Sequence, residues 1–506
     1  MAVTFARGCG ALIALGLSAP AAMADVSAQD VWADWKSYLA ATGYAVSGTE
    51  SFSGDTLTVS DLTLEIADLG AGSSTITIPD IRFVDNGDGT VGVVLPNELP
   101  ASFDMDSPDG RVAGTILLSH DGGPMLVSGD ADEMTYDFAA GVMTFSLSDL
   151  VAPDGDLPED AVKFTATLSD VENQVVMTKS DLRQYAQSMT SSELSYEFSF
   201  ADPDGETDGT FKGALKGIGF DGTTAIPAPG ETADFAAMLR NGMSAEGTIK
   251  FASGEGSVTA RDNRDSFSLE NSSQGGAARF EISNTGLTYD LSQMATQVAI
   301  EGSDIPFPID LSIGETGIKL SMPVAKSDEE QDFSLGFAIR DFDVPEILWG
   351  LVDPTGALPH DPATIAIDLV GKAKLAFDLF DPLSVEVMED SDEAPGELNA
   401  LTMNSLEVSV AGAELTGSGD FTFDNSDLTS FDGMPAPTGE ANLKLVGANA
   451  LLDKLIGMGL VSDSDAMGAR MMMGLLAVPG DSEDTLTSKI EVSGDGQIKA
   501  KGQRIK

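Results

Sequence analysis

Thiols, imidazoles and basic side chains are all scarce in this chain. A single cysteine, Cys9, two histidines, His120 and His360, and 27 Lys and Arg stand against 81 Asp and Glu in 506 residues. One cysteine closes no intramolecular disulfide, so the fold must be held by burial, for which the chain is long enough. Two histidines distant in sequence exclude a zinc helix of the His-Glu-x-x-His kind. No Gly-x-Ser-x-Gly elbow or Ser-x-x-Lys pair occurs, and Gly371-Lys372 lacks the Ser or Thr that completes a phosphate loop. The formal net charge of −54 repels phosphate, which argues against nucleic acid as a partner. With so many carboxylates any two become neighbours by chance, so a glycosidase pair does not follow from their presence.

A long apolar run is also missing. The one candidate, Ala11 to Leu17, follows Arg7 and precedes the small-x-small triplet Ala22-Met23-Ala24, the pattern of a secretory signal cut before Asp25. It falls short of the roughly 20 residues a spanning helix needs. Residues before Cys9 form no lipobox, so the expectation is a periplasmic protein with a 1–24 signal, no transmembrane anchor and no thiol after cleavage.

What the chain does contain is alternation. From Ile365 to Leu379 every odd position is apolar or glycine while Asp368, Lys372, Lys374 and Asp378 occupy even ones, the period of a strand with one apolar face. Leu57 and Val59 run in one phase and Leu62, Leu64 and Ile66 in the other, which predicts a bulge near Ser60-Asp61. Ile76 to Val84 and Val91 to Leu95 flank Asp85-Asn86-Gly87-Asp88-Gly89, a hairpin signal. A helix over 28–42, capped by Ser27 with Asp30 three residues on and stopped by Gly43, presents Val31, Trp32, Trp35, Tyr38 and Leu39 on one face. After the breaker Pro227-Ala228-Pro229-Gly230 a second helix, Thr232 to Asn241, ends at Gly242 and leads into strands again.

These signals predict a mainly β fold, α+β overall, of extended antiparallel meandering sheets in two similar halves, 25–230 and 231–506. Near the end, Ala448–Met458 and Asp463–Val478 read as a helical pair before a closing hairpin. Met467, Met471, Met472 and Met473 at helical spacing read as packing residues rather than copper ligands. The Asp-Gly turns, Asp202-Pro203-Asp204-Gly205 among them, lack the calcium-loop template and its closing Glu. No cofactor is expected.

The densest unusual segment is 344–364. It holds the candidate loop or partner residues Trp349, Asp353, His360 and Asp361, and reads structurally as a short helix begun by Asp343 and Pro345, then a Pro-rich turn, with Trp349 as a buried anchor. The strings Ile305-Pro306-Phe307-Pro308-Ile309, Trp349-Gly350-Leu351-Val352-Asp353-Pro354, Leu358-Pro359-His360-Asp361-Pro362-Ala363-Thr364, Phe421-Thr422-Phe423-Asp424-Asn425 and Gly468-Ala469-Arg470-Met471-Met472 resemble the alphaproteobacterial exported family called domain of unknown function 2125, over nearly the whole chain after the signal. That resemblance implies a Gram-negative envelope protein and carries over no catalytic residue. The expected function is a non-enzymatic envelope protein that shelters a lipid-like hydrophobic ligand on a long sheet. The alternative is a structural or protein-interaction module with a filled core, and behind both stands a hydrolase built on clustered carboxylates with His120 or His360.

Overall fold

Capping chemistry fixes where the fold begins. In this computed structural model, which describes residues 25–505 except 67–73, 108–109, 153–154, 157, 159–160, 203–204, 228–234, 382, 385–387 and 389–393, helix α1 spans Ala28–Ala41. The Ser27 side chain accepts from the Asp30 amide at 3.3 Å, and the Asp30 carboxylate accepts from the Ser27 amide at 3.1 Å, the reciprocal box read from the sequence. Gly43, at φ 96°, ends the element.

Strands make up 63% of the chain and pair in antiparallel ladders. Strands β1 (Ala45–Ser53) and β2 (Thr56–Ile66) carry the predicted bulge: Ser47 pairs with Thr63 and Thr49 with Ser60, leaving Asp61 and Leu62 opposite Gly48 alone. Leu57 and Val59 before the bulge and Leu62 and Leu64 after it are consequently all buried. The run Ile76–Val84 is two strands rather than one, β3 (Ser74–Ile78) and β4 (Ile81–Asp85), because Pro79 has no ladder N–H to give. β4 closes the expected hairpin with β5 (Val91–Val94). Next come β6 (Glu98–Ser107), β7 (Gly110–His120), β8 (Met125–Gly129), the long β9 (Glu133–Ala152) and a short return, β10 (Gly155–Asp156). One end of β2 is linked to β9 through β4, β5 and β8 and the other through β3, β6 and β7.

β11 (Val162–Lys179), β12 (Arg183–Ala201) and β13 (Thr207–Ile226) then run side by side. Helix α2 is described over Phe235–Arg240, and Gly242 again has φ 96°; the predicted start at Thr232 and most of the 227–230 breaker lie outside the described residues. The ladder does not break at the 230/231 boundary, since both β14 (Ser244–Phe251) and β15 (Ser253–Asp262) pair with β13. β16 (Asp265–Ser273) and β17 (Gly276–Ile282) extend them to β18 (Leu287–Gly302), and β19 (Ile309–Met322) and β20 (Gln331–Phe342) continue the sheet to helix α3 (Glu346–Val352).

β21 spans Ala363–Leu375, so the alternating run predicted to Leu379 loses its last four residues. There the backbone leaves the ladder to bond elsewhere, Ala376 to Pro395 and Leu379 to Val324. Gly371 does not break β21; the extra residues, Asn399 and Asn404, sit in the neighbouring β22 (Gly396–Val410). β23 (Ala413–Asp424), β24 (Ala436–Val446), helices α4 (Ala448–Gly457) and α5 (Asp463–Leu476), β25 (Val478–Pro479), β26 (Thr485–Val492), β27 (Ile498–Ala500) and β28 (Gln503–Arg504) complete the chain.

The packed core lies under α1. Val31 and Trp32 meet Leu57, Val59, Phe83, Val91, Val93, Val127, Met134 and Met177, all nearly or fully inaccessible. Asp34 on the same helix is buried too, and accepts from Tyr136 Oη at 2.8 Å, Tyr185 Oη at 3.3 Å and the Arg183 guanidinium. Burial raises its pKa despite those donors and pushes both tyrosines well above their ordinary value.

Candidate functional site

Beyond α1 the sheet keeps one apolar face, and the ladder registers show how. Phe164 pairs with Phe198, Phe198 with Phe211, Phe211 with Val258, Val258 with Leu269, Leu269 with Ile300 and Ile300 with Ile309. Paired residues in an antiparallel ladder share a face, so this is one apolar row across seven strands. A second row runs Tyr289–Leu320–Leu335–Leu369–Met403, and a third Ile365–Val408–Leu415–Leu445–Leu486.

The long strands reverse phase once along their length. On β11 the apolar positions are even up to Leu168 and odd from Val171; on β13 they are odd up to Leu215 and even from Ile218; on β18 they are odd up to Leu291 and even from Val298. The reversals coincide with residues in the left-handed region: Asp170 at φ 49°, Gly217 at φ 62° and Ala295 at φ 46°. These positions fall beside one another in the ladders, so they form a crease across the sheet. A single non-extended residue inverts the alternation beyond it, and the inverted sequence pattern restores apolar side chains to the same side. Contacts at the crease agree, because a Cβ built on Gly254 would meet Leu215 from one side of it at 3.0 Å and Phe251 from the other at 3.3 Å.

This face is open. Phe164, Phe198, Phe200, Phe211, Phe267 and Phe337 are 37–46% exposed, Leu291, Leu335 and Tyr289 43–45%, and Ile318 and Ile365 51–52%. The six phenylalanines alone leave on the order of 500 Å² accessible, as much as the largest apolar patch of a typical soluble monomer. A concavity of about 1210 Å³ lies on the opposite face. Lys163, Glu197, Lys212, Glu255, Glu270 and Asp310, at the alternate positions of the same strands, line it, so the trough carries charges of both signs.

The residues singled out from sequence fall apart into two groups. Ala22 and Ala24 lie outside the described residues, and Asp25 is exposed. Trp349, Asp353 and His360 do come together. The His360 ring stacks on Trp349 at 4.3 Å and 5°, its Nδ1 lies 3.0 Å from Glu346 and its Nε2 3.5 Å from Asp353. Asp353 is only 2% exposed and accepts from the Leu358 amide at 2.6 Å and the Thr355 hydroxyl at 3.1 Å. Those donors, the Leu358 amide first, hold its pKa down at about 2, and the hydrogen bond to Glu346 raises that of His360. Asp361 is exposed and outside this network.

Structural details correct the sequence reading. Trp349 is half-buried as a stacking plate rather than sunk as an anchor, and the cap of α3 is Pro345 with no side-chain hydrogen bond, Asp343 instead bridging to Ser312 through its backbone. His120 ends β7, is 7% exposed and packs edge-on against Phe138. The methionines of α5 do not pack, since Met467 and Met471 are each 71% exposed and Met472 51%. The sequence signal for the open face is the phase reversal of Leu57–Ile66, which recurs in β9, β11, β12, β13, β18 and β19.

Among the described residues no cluster of three or more His, Cys, Asp or Glu is placed to hold a metal ion, and no helix is long and apolar enough to cross a membrane. Fold and site therefore define an antiparallel sheet protein with a helix-capped core at one end and an open apolar face beyond it. Residues 232–499 match the family described as an uncharacterized protein conserved in bacteria, domain of unknown function DUF2125, and the chain belongs to it. The match covers the second part of the chain, less than the resemblance implied. No curated protein and no solved structure matches.

Proposed function

We propose that this protein is a non-enzymatic exported protein of the periplasm that holds a lipid-like hydrophobic ligand against the apolar face of its sheet. The observation carrying this reading is the continuous row Phe164–Phe198–Phe211–Val258–Leu269–Ile300–Ile309 across seven strands, whose three phenylalanines are 37–46% exposed and whose other members are partly exposed. At about 4.8 Å per strand, the succession from β11 to β26 offers on the order of 60 Å of such surface, longer than any single acyl chain. A methylene gains about 0.8 kcal/mol on full burial, so a chain laid on an open face, losing about half its exposure, gains roughly 0.4 kcal/mol per carbon. That suffices for reversible holding and suits a carrier more than a sink. Neither His120 nor His360 lines the polar trough, and His360 is closed between Trp349 and two carboxylates, which favours a binding protein over a hydrolase.

Native mass spectrometry of protein purified from its own host, together with uptake of a fluorescent fatty acid, tests the reading. Copurified lipid and saturable uptake are expected. Phe211→Asp should weaken uptake at least about tenfold, because it sets a charge among apolar neighbours, while Lys212→Gln on the polar face should leave it unchanged. Absence of both lipid and uptake in the wild-type protein would remove the proposal.

A further inference from the structure

In a chain with three carboxylates for every basic residue, one concavity reverses the balance. A pocket of about 600 Å³ on the polar face at the C-terminal end of the sheet is lined by Lys444, Lys489 and Lys501 and by no Asp or Glu, whereas four other concavities each include at least one carboxylate. The ladders put the lysines together. Lys444 of β24 pairs with Thr487 of β26, Lys489 stands two residues further along β26, and Lys501 follows β27 with its amide bonded to the Lys489 carbonyl at 3.1 Å.

The charges are only partly compensated. Lys489 reaches Glu440 at 2.8 Å and Glu491 at 3.3 Å, both outside the lining. Lys501 donates to the Gly474 carbonyl in the last turns of α5, which uses one of an ammonium's three protons. Lys444 has no ion pair among the described residues. Thr416, Ser418 and Thr487 add hydroxyls to the lining.

We propose that this pocket binds a phosphate group, as carried by a phosphorylated amphiphile or by a small phosphate ester. Three ammonium groups around one hollow suit a compact, multiply charged anion. The lining offers ammonium point charges and no arginine fork, so it recognises charge density rather than a planar bidentate group. The helix at the rim favours the amphiphile: α5 supplies the Gly474 and Leu476 carbonyls that Lys501 and Ser488 bond, and on its surface Met471 and Leu475 are 71% and 45% exposed. The site is independent of the apolar face described above.

Isothermal titration of the full chain with dioctanoyl phosphatidic acid, inorganic phosphate and octanoate tests the assignment. Saturable binding of phosphatidic acid is expected, with octanoate much weaker, and Lys444→Gln with Lys501→Gln together should lower the affinity at least about tenfold. Phosphatidic acid binding more tightly than inorganic phosphate identifies a lipid headgroup as the source; equal binding identifies the free phosphate group. The double variant should still take up fluorescent fatty acid, so loss of one activity is distinguishable from loss of the other. Protection of Lys444 and Lys501 from amine acetylation by phosphatidic acid, read by mass spectrometry on the wild-type protein, serves if the variant does not fold. No binding of either phosphate ligand, octanoate binding equally well, or no loss in a folded variant and no protection would overturn the proposal.

Discussion

Two residues show how differently buried carboxylates are used here. Asp34 pins α1 to the sheet through Tyr136, Tyr185 and Arg183, and its burial raises its pKa. Because the folded pKa lies above the unfolded value, this carboxyl contributes most below pH 3.8, and the contribution is lost as pH rises through the folded pKa. Asp34→Ala leaves the partly buried Arg183 guanidinium and the Tyr136 hydroxyl without their acceptor and should cost about 2–4 kcal/mol in urea unfolding monitored by circular dichroism. Asp353 behaves oppositely. Its folded pKa of about 2 lies below 3.8, so its contribution is present above pH 3.8 and disappears as pH falls toward 2. His360 adds a third dependence: its folded pKa is raised above 6.5, so the clasp with Glu346 and Asp353 is complete below pH 6.5 and loosens as pH rises through the folded value. With two histidines in the chain, an NMR titration resolves it, and Glu346→Gln should bring the His360 midpoint down toward 6.5.

At the scale of elements, the informative unit is a strand with one residue out of register. Cap and stop signals placed α1 to within a residue, because they act within one turn of chain; Ser27→Ala should cost about 1 kcal/mol in the same unfolding measurement. The bulge at Asp61 was equally legible, since the apolar phase changes within ten residues. The crease was not, although its parts are local, because only pairing brings Asp170, Gly217 and Ala295 into line. Gly217→Ala should destabilise by about 1–2 kcal/mol, the left-handed cost of a side chain, aggravated by an Ala252 Cβ 3.0 Å from the new atom. The end of β21 at Leu375 likewise depended on partners distant in sequence, Pro395 and Val324.

For the molecule as a whole, charge and grease are separated by face. A net charge of −54 makes self-repulsion a standing cost that mobile ions relieve, since the Debye length falls to about 10 Å at 0.1 M salt. The melting temperature should therefore rise between low salt and about 0.15 M sodium chloride, and a melt that ignores ionic strength would contradict that account.

The sequence by itself determined the β class, the capped first helix, the bulge at Asp61 and the acidic surface, because alternation, capping and charge are properties of neighbours along the chain. It also brought Trp349, Asp353 and His360 forward as a group, since they lie on helix α3 and the turn after it, fourteen residues separating His360 from Glu346. Only the tertiary structure decided that the apolar face stays open past α1, that the trough on the other face carries charges of both signs, that the α5 methionines face solvent and that lysines of β24, β26 and the turn after β27 share one pocket. Exposure depends on what else in the molecule comes to lie over a residue, and ladder register on partners up to scores of residues away, so neither is written in any local stretch of sequence.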